Sequence, residues 1–330
     1  MEKELRTAVL LYGFLRTADI THKSLIDNVV KPNNADVFYF GPDSTDSPTS
    51  IHKGILDGTG FLKINPKNDA LETSGGIEEK LKSYYGNLLK RYQLHTKTFN
   101  DFNAESSFID RNQWLFSLNP ARFFSMFYNM QKVVELMQGY ENEMGFRYDR
   151  VVITRPDLTF YAAMDLRKIR DGMVYIPSGE GFCPHTGNRN YGLSQAQAYR
   201  NVQKGTMVPT GVGFNDQVLV FARESASHMA DIYTSLKGYV TDKVPLTPET
   251  LLYYHLCRIN SLKVKYIDDW PYEIVRTGDA PIVNVIDLMI LDVIDRYHPF
   301  VKERVKKHPV KYFFKFGRMK YRAIKRRYFN

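Results

Sequence analysis

The chain has 330 residues, 43% of them apolar and 14% aromatic, and a net charge of +9. That length and composition fill the core of one large or two ordinary domains, and no run of about 18 apolar residues marks a membrane-spanning helix. Two cysteines, Cys183 and Cys257, stand far apart in unrelated contexts, which excludes a disulfide framework and a CxxC metal site and suits a reducing interior.

The charge is concentrated at one end. Residues 301–330 hold seven Lys and five Arg against the single Glu303, a balance of +11 that leaves −2 on residues 1–300. The chain therefore divides into a body, 1–298, and a basic tail, 299–330. A nearly neutral body offers no broad basic face for specific nucleic-acid binding. The N-terminal "MEKELRTAVLLYGFLRT" has neither the apolar length nor the cleavage site of a secretory signal, so a cytoplasmic location is expected.

In chain order, "TAVLLYGF" predicts a first strand, "ITHKSLIDNVV" a helix and "ADVFYF" (35–40) a second strand parallel to the first, followed by the loop "GPDSTDSPTS". Ile77, Leu81, Tyr84, Leu88 and Tyr92 fall at helical spacing, as do Phe123, Phe127, Met130, Val134 and Met137. Both sets predict amphipathic helices whose aromatic residues pack in the core. "YDRVVITRPDLTF" (148–160) is a strand whose apolar run stops at Thr154-Arg155-Pro156-Asp157. The strand "GMVYIP" follows, then a long Gly-, Asn-, Ser- and Gln-rich stretch, 178–215, of the kind that forms an active-site lid or binding loop. "DQVLVFA" (216–222) is a strand, followed by a helix through Met229, Ile232, Tyr233 and Leu236.

"LTPETLLYYHL" places Thr247 as N-cap, Pro248 at the first helical position and Glu249 in the first turn, with Leu252, His255, Leu256 and Ile259 on one face. His255 is expected to be a satisfied core histidine. Short strands "KVKYID" and "YEIVR" and a last body helix through Ile282, Ile286, Met289, Val293 and Tyr297 complete the body.

Strands alternating with helices predict an open α/β sheet, and in such sheets ligands bind beyond the carboxyl ends of the strands. Three polar groups stand there or just before a strand. In "YGFLRT", Tyr12, Gly13 and Arg16 suit close backbone approach and phosphate binding where a helix begins, although Gly13 could simply turn the chain. No GxGxxG or GKS/T motif is present, which argues against a dehydrogenase or a P-loop ATPase. In "TRPD", Pro156 is expected to hold the chain extended, so that Arg155 and Asp157 point to one side. Asp157 is then either a ligand for a hard divalent cation or half of a buried Arg–Asp pair. In "FND", Asn215 and Asp216 precede a strand, and Asp216 and Glu249 are candidate general bases.

Taken in order, "AVLLYGFLRT", "NNADVFYF", "YDRVVITRPDLTF", "FNDQVLVFARESASHMADIY" and "PETLLYYHL" with "YEIVR" resemble bacterial and large-virus glycosyltransferases that build surface polysaccharides and glycans, over roughly residues 6–276. The resemblance implies a GT-A-like, Rossmann-type open mixed sheet binding a nucleotide-sugar donor and a saccharide or lipid-linked acceptor. It also implies donor contacts from Tyr12, Gly13, Arg16, Arg155, Asp157 and Asn215, and a catalytic base at Asp216 or Glu249. Where that fold carries Asp-x-Asp for Mn²⁺ or Mg²⁺, this chain has Arg155-Pro156-Asp157. Either Asp157 holds the cation or Arg155 supplies its charge. The alternatives are a sulfotransferase, for which the phosphate loop is missing from "YGFLRT", and a non-catalytic module on a membrane or RNA.

In the tail, Val310, Phe313, Phe314, Tyr321, Ile324 and Tyr328 follow one helical face, and Lys311, Lys315, Arg318, Arg322 and Lys325 another. Residues 310–328 thus predict a basic amphipathic helix suited to an anionic membrane surface.

Overall fold

The structure, a computed structural model, describes residues 5–44, 49–56, 62–66, 76–97, 100–110, 119–177, 214–267, 269–270 and 272–275. The long 178–215 stretch up to residue 213, the last body helix and the basic tail lie outside the described residues. No helix among the described residues is long and apolar enough to cross a membrane.

Seven strands form one sheet. They are β1 (Thr7–Tyr12), β2 (Ala35–Pro42), β5 (Leu89–His95), β6 (Arg150–Thr154), β8 (Met173–Pro177), β9 (Val218–Ala222) and β10 (Lys263–Ile267), in the order β10-β8-β9-β6-β1-β2-β5. β1 runs parallel to β2 and β6, β2 to β5, and β8 to β10, whereas β9 is antiparallel to both β6 and β8. This is the Rossmann-type open mixed sheet, flanked by helices, that strands alternating with helices predict.

Helices cover both faces. On one side α4 (Ala121–Met144), α5 (Ile232–Thr241) and α6 (Pro248–Tyr253) pack on Leu10, Phe38, Val151, Ile153, Leu219 and Phe221. On the other, α1 (Ala18–Leu25) and α2 (Ile77–Tyr85) pack with Val9, Leu11, Val37, Tyr39, Val152 and Val220. Alternate residues of each central strand feed opposite cores, which is why these strands read as unbroken apolar runs. The α4 stripe Phe123, Phe127, Met130, Val134 and Met137 is buried as core. At the far end of α4, Glu141 accepts two hydrogen bonds from Arg223, 2.7 Å from Nε and 2.6 Å from Nη2, and one from the Tyr148 N–H at 2.9 Å.

Four local expectations are corrected. The helix expected over 77–92 ends at Tyr85, because Gly86 takes a positive φ of 52° that breaks the helix; Leu88 lies in a short 3-10 turn and Tyr92 in edge strand β5. The polar loop after β2 leads into a hairpin, β3 (Thr49–Leu56) with β4 (Leu62–Pro66). "YDRVVITRPDLTF" is two strands, since the chain turns at Pro156–Asp157 and β7 (Leu158–Phe160) leaves the main sheet to pair antiparallel with β11 (Tyr272–Ile274). Ile259, placed on the buried face of its helix, is 53% exposed, because the helix beyond Tyr253 runs as a π turn and rotates that residue outward. His255 is the core histidine expected, 1% exposed, with Nδ1 2.6 Å from the Tyr239 hydroxyl and Nε2 2.5 Å from the His228 carbonyl.

Candidate active site

Because β9 alone runs against its neighbours, its entry lies at the same edge of the sheet as the exits of β1 and β6. "YGFLRT", "TRPD" and "FND" therefore meet, although they lie some 60 to 200 residues apart in the chain.

The β1 exit is shaped by Gly13, whose φ of +85° turns the chain while its N–H donates to the Phe40 carbonyl (3.0 Å) and its carbonyl accepts from the Tyr39 hydroxyl (2.7 Å). Gly41 of β2 must lack a Cβ, since one there would collide with the Gly13 carbonyl and the Tyr39 ring. Tyr12, 3% exposed, donates its hydroxyl to the Asp216 carbonyl at 2.6 Å and so ties the β1 exit to the β9 entry. Arg16 adopts a left-handed backbone, φ 48°, immediately before α1. That conformation costs a non-glycine residue of order 1 kcal/mol and turns its side chain onto the β6 exit.

There the Asp157 carboxylate is fully buried between two guanidinium groups. Oδ1 accepts from Arg155 Nε at 2.9 Å, and Oδ2 accepts from Arg155 Nη2 at 2.7 Å and Arg16 Nη1 at 3.1 Å. The turn holding it is pinned by the Thr21 hydroxyl on the Pro156 carbonyl (2.5 Å) and by the Val275 N–H on the Asp157 carbonyl (2.9 Å). Arg155 and Asp157 thus share one side as expected, by a turn rather than an extended chain. The two arginine side chains remain 16% and 21% exposed, so each keeps an edge toward solvent. Burial pulls the Arg16 pKa down against the Asp157 charge; for Arg155, burial acts the same way but the closer carboxylate outweighs it and the pKa is raised. Both stay protonated.

Asn215 builds the turn that presents Asp216: its Oδ1 accepts from the Gln217 and Val218 N–H groups (2.6 and 3.0 Å), and its Nδ2 donates to the Tyr272 hydroxyl at 2.7 Å. That hydroxyl donates onward to Gln217 Oε1 at 3.0 Å. At 1% exposure, Asn215 is placed to position Asp216 rather than to meet a ligand.

Glu249 reaches the same place from α6, whose N-terminus is capped by the Thr247 hydroxyl accepting from Thr250 N–H at 3.2 Å. Burial, then the neighbouring Asp216 charge, pushes the Glu249 pKa up to about 8. Burial likewise raises that of Asp216, opposed by Arg155. Two neighbouring buried carboxyls whose pKa values are both raised are a candidate acid–base pair.

Sequence patterning singled out none of three further participants as site residues. Tyr272 reaches the site through the β7–β11 pair, and Gln217 through the β9 turn. Arg122, in the first turn of α4, feels the like charge of Arg16 on top of its burial, and its pKa is lowered. The only sign of Arg122 was its place just after Pro120 at a helix start.

A divalent cation does not fit on Asp157 as arranged. Both carboxylate oxygens are occupied by guanidinium donors, and among the described residues no group of three or more His, Cys, Asp or Glu could hold a metal. The donor set is that of an arginine clamp.

No family model and no curated protein matches the chain. Among solved structures it is similar to mouse xyloside xylosyltransferase 1 in its apo form (11% identity, TM-score 0.33, over 80% of this chain and 84% of that one). It is also similar to core-mannan synthase A (CmsA/Ktr4) from Aspergillus fumigatus in its Mn/GDP form (10%, 0.43, 83% and 75%). A third is the mannosyltransferase Ktr4p from S. cerevisiae (12%, 0.41, 93% and 82%). At these scores the likenesses assign neither activity nor ligand to this chain.

Proposed function

We propose that the chain is a glycosyltransferase that moves a sugar from a nucleotide-sugar donor to a glycan or lipid-linked acceptor. The carrying observation is the meeting, at one carboxyl edge, of two partly exposed arginines sharing one buried carboxylate with the neighbouring carboxyls of Asp216 and Glu249. Arg16 and Arg155 place two cations on the single carboxylate of Asp157, and Arg122 lies close enough for its charge to be felt at Arg16. That cluster suits a diphosphate, whose negative charge grows as the sugar leaves.

In this proposal the arginines carry the charge that Mn²⁺ or Mg²⁺ supplies when bound in enzymes of this chemistry. Asp216, whose charged form Arg155 favours against its burial, accepts the proton of the acceptor hydroxyl. The acceptor oxygen bonds to the anomeric carbon as the sugar–phosphate bond breaks and its electron pair leaves with the diphosphate. Protonated Glu249 spares Asp216 a like charge and orients the acceptor.

Purified protein incubated with UDP-, GDP-, CMP- and dTDP-sugars is expected to gain thermal stability with at least one, without added Mn²⁺. No shift and no sugar-nucleotide hydrolysis across the panel, with or without Mn²⁺, removes the proposal; a shift with adenosine bisphosphate alone supports the sulfotransferase instead. A peripheral membrane anchor at 310–328, with the body on the cytoplasmic side, belongs to the same proposal. Equal pelleting with anionic vesicles of the full chain and a chain ending at Pro299 would remove it.

A further inference from the structure

The opposite edge of the sheet carries a second concentration of cations. Arg150 opens β6 and Met173 opens β8, so the cavity of about 590 Å³ that they line with Lys168, Arg170, Tyr175 and Lys265 lies at the amino ends of these strands, away from Asp157. Arg167 also borders it, but its charge is held by Asp165, 2.9 Å from Nε and 3.0 Å from Nη2.

Among the described residues none of the other four cations is in a carboxylate salt bridge, although the Lys168 charge is felt at Asp165. Arg150 donates to carbonyls, from Nε to Leu166 at 3.3 Å and from Nη1 to Asp149 at 2.8 Å. Lys265 lies over the Tyr175 ring at 5.8 Å. Lys168 and Arg170 are exposed. The nearby acid Asp171 is turned away onto Ser225, 2.6 Å from its hydroxyl and 3.1 Å from its N–H. Tyr175 accepts from the Arg170 N–H at 3.0 Å and fixes the cationic loop against the sheet. Four cations gathered around one concavity present a positive field that suits a multiply charged anion.

We infer that this cavity is a second anion site, distinct from the proposed donor site, and that it takes a phosphate-bearing group. Its concavity and the burial of Ile169 beneath it favour a phosphate that enters over a surface that inserts. The site does not depend on the glycosyltransferase proposal.

The test is lysine acetylation footprinting of the full chain, read by mass spectrometry, with inorganic tripolyphosphate or phosphatidic-acid vesicles. Lys168 and Lys265 are expected to lose reactivity while Lys132, paired with Glu135 on α4 over the other face of the sheet, keeps its own. Protection by tripolyphosphate assigns a soluble phosphate ligand, and protection by vesicles alone assigns a lipid headgroup. Arg170→Glu, at an exposed position, should weaken the protection of Lys265 by about tenfold or more in ligand concentration, since it removes one charge-assisted contact and adds a repulsion. No protection by either probe, or unchanged protection of Lys265 in Arg170→Glu, overturns the inference.

Discussion

Arg16 Nη1 lies 3.1 Å from Asp157 Oδ2 across 141 positions of sequence, and Arg155 grips the same carboxylate from two residues away. The β1 and β6 exits are thereby joined by charge as well as by strand pairing. Replacing the shared carboxylate leaves two partly buried guanidinium groups facing each other.

Asp157→Ala is therefore expected to cost stability as well as activity, about 3–5 kcal/mol for an uncompensated buried charge. From the sequence alone this substitution would be expected to spare the fold. Chemical denaturation should show the loss, and restoration of much of the stability in Arg155→Met/Asp157→Leu would confirm that the unpaired charges cause it. An Asp157→Ala protein as stable as the parent contradicts the clamp.

Glu249 makes stability depend on pH. Its pKa is raised from the ordinary carboxyl range to about 8, so between roughly pH 4.3 and 8 the folded state holds a proton that the unfolded state releases. That contribution is complete below the unfolded pKa and is lost as pH rises toward 8. Tm is expected to decline over this window in the parent and to decline less in Glu249→Gln. Parallel Tm profiles for the two proteins would refute the shift.

Activity should follow the carboxyl pair. Asp216→Asn is expected to lower kcat by about 10²–10⁴-fold if Asp216 is the base, with donor affinity, measured by thermal shift, little changed. A large loss of donor affinity with kcat preserved would place Asp216 on the donor instead.

Gly41→Ala tests the β1 exit from outside the cleft. The added Cβ collides with the Gly13 carbonyl and the Tyr39 ring, so the loop carrying Arg16 must move and nucleotide-sugar binding should weaken several-fold. Unchanged donor binding would detach the Gly13 loop from the site.

The Arg223–Glu141 pair stands apart from the chemistry. It joins the end of β9 to the last turns of α4, and Glu141→Ala is expected to destabilise by about 3–5 kcal/mol, read by urea unfolding with donor affinity retained.

Local chemistry made much of this legible in the sequence. The β-branched runs of β1, β2 and β6, the aromatic stripe of α4 and the Thr247-Pro248 helix start each state their structure within a few residues. The candidate residues at the strand exits could be named for the same reason. Edge strand β5 was hidden because its half-exposed residues mimic a helical repeat until Gly86 breaks it. Tertiary structure alone decided that β9 runs antiparallel, and so that Asp216 meets Tyr12 and Glu249. It alone decided between the cation and the buried Arg–Asp pair at Asp157, because burial makes an unpaired carboxylate costly and a second guanidinium, Arg16, reaches it from the turn after β1.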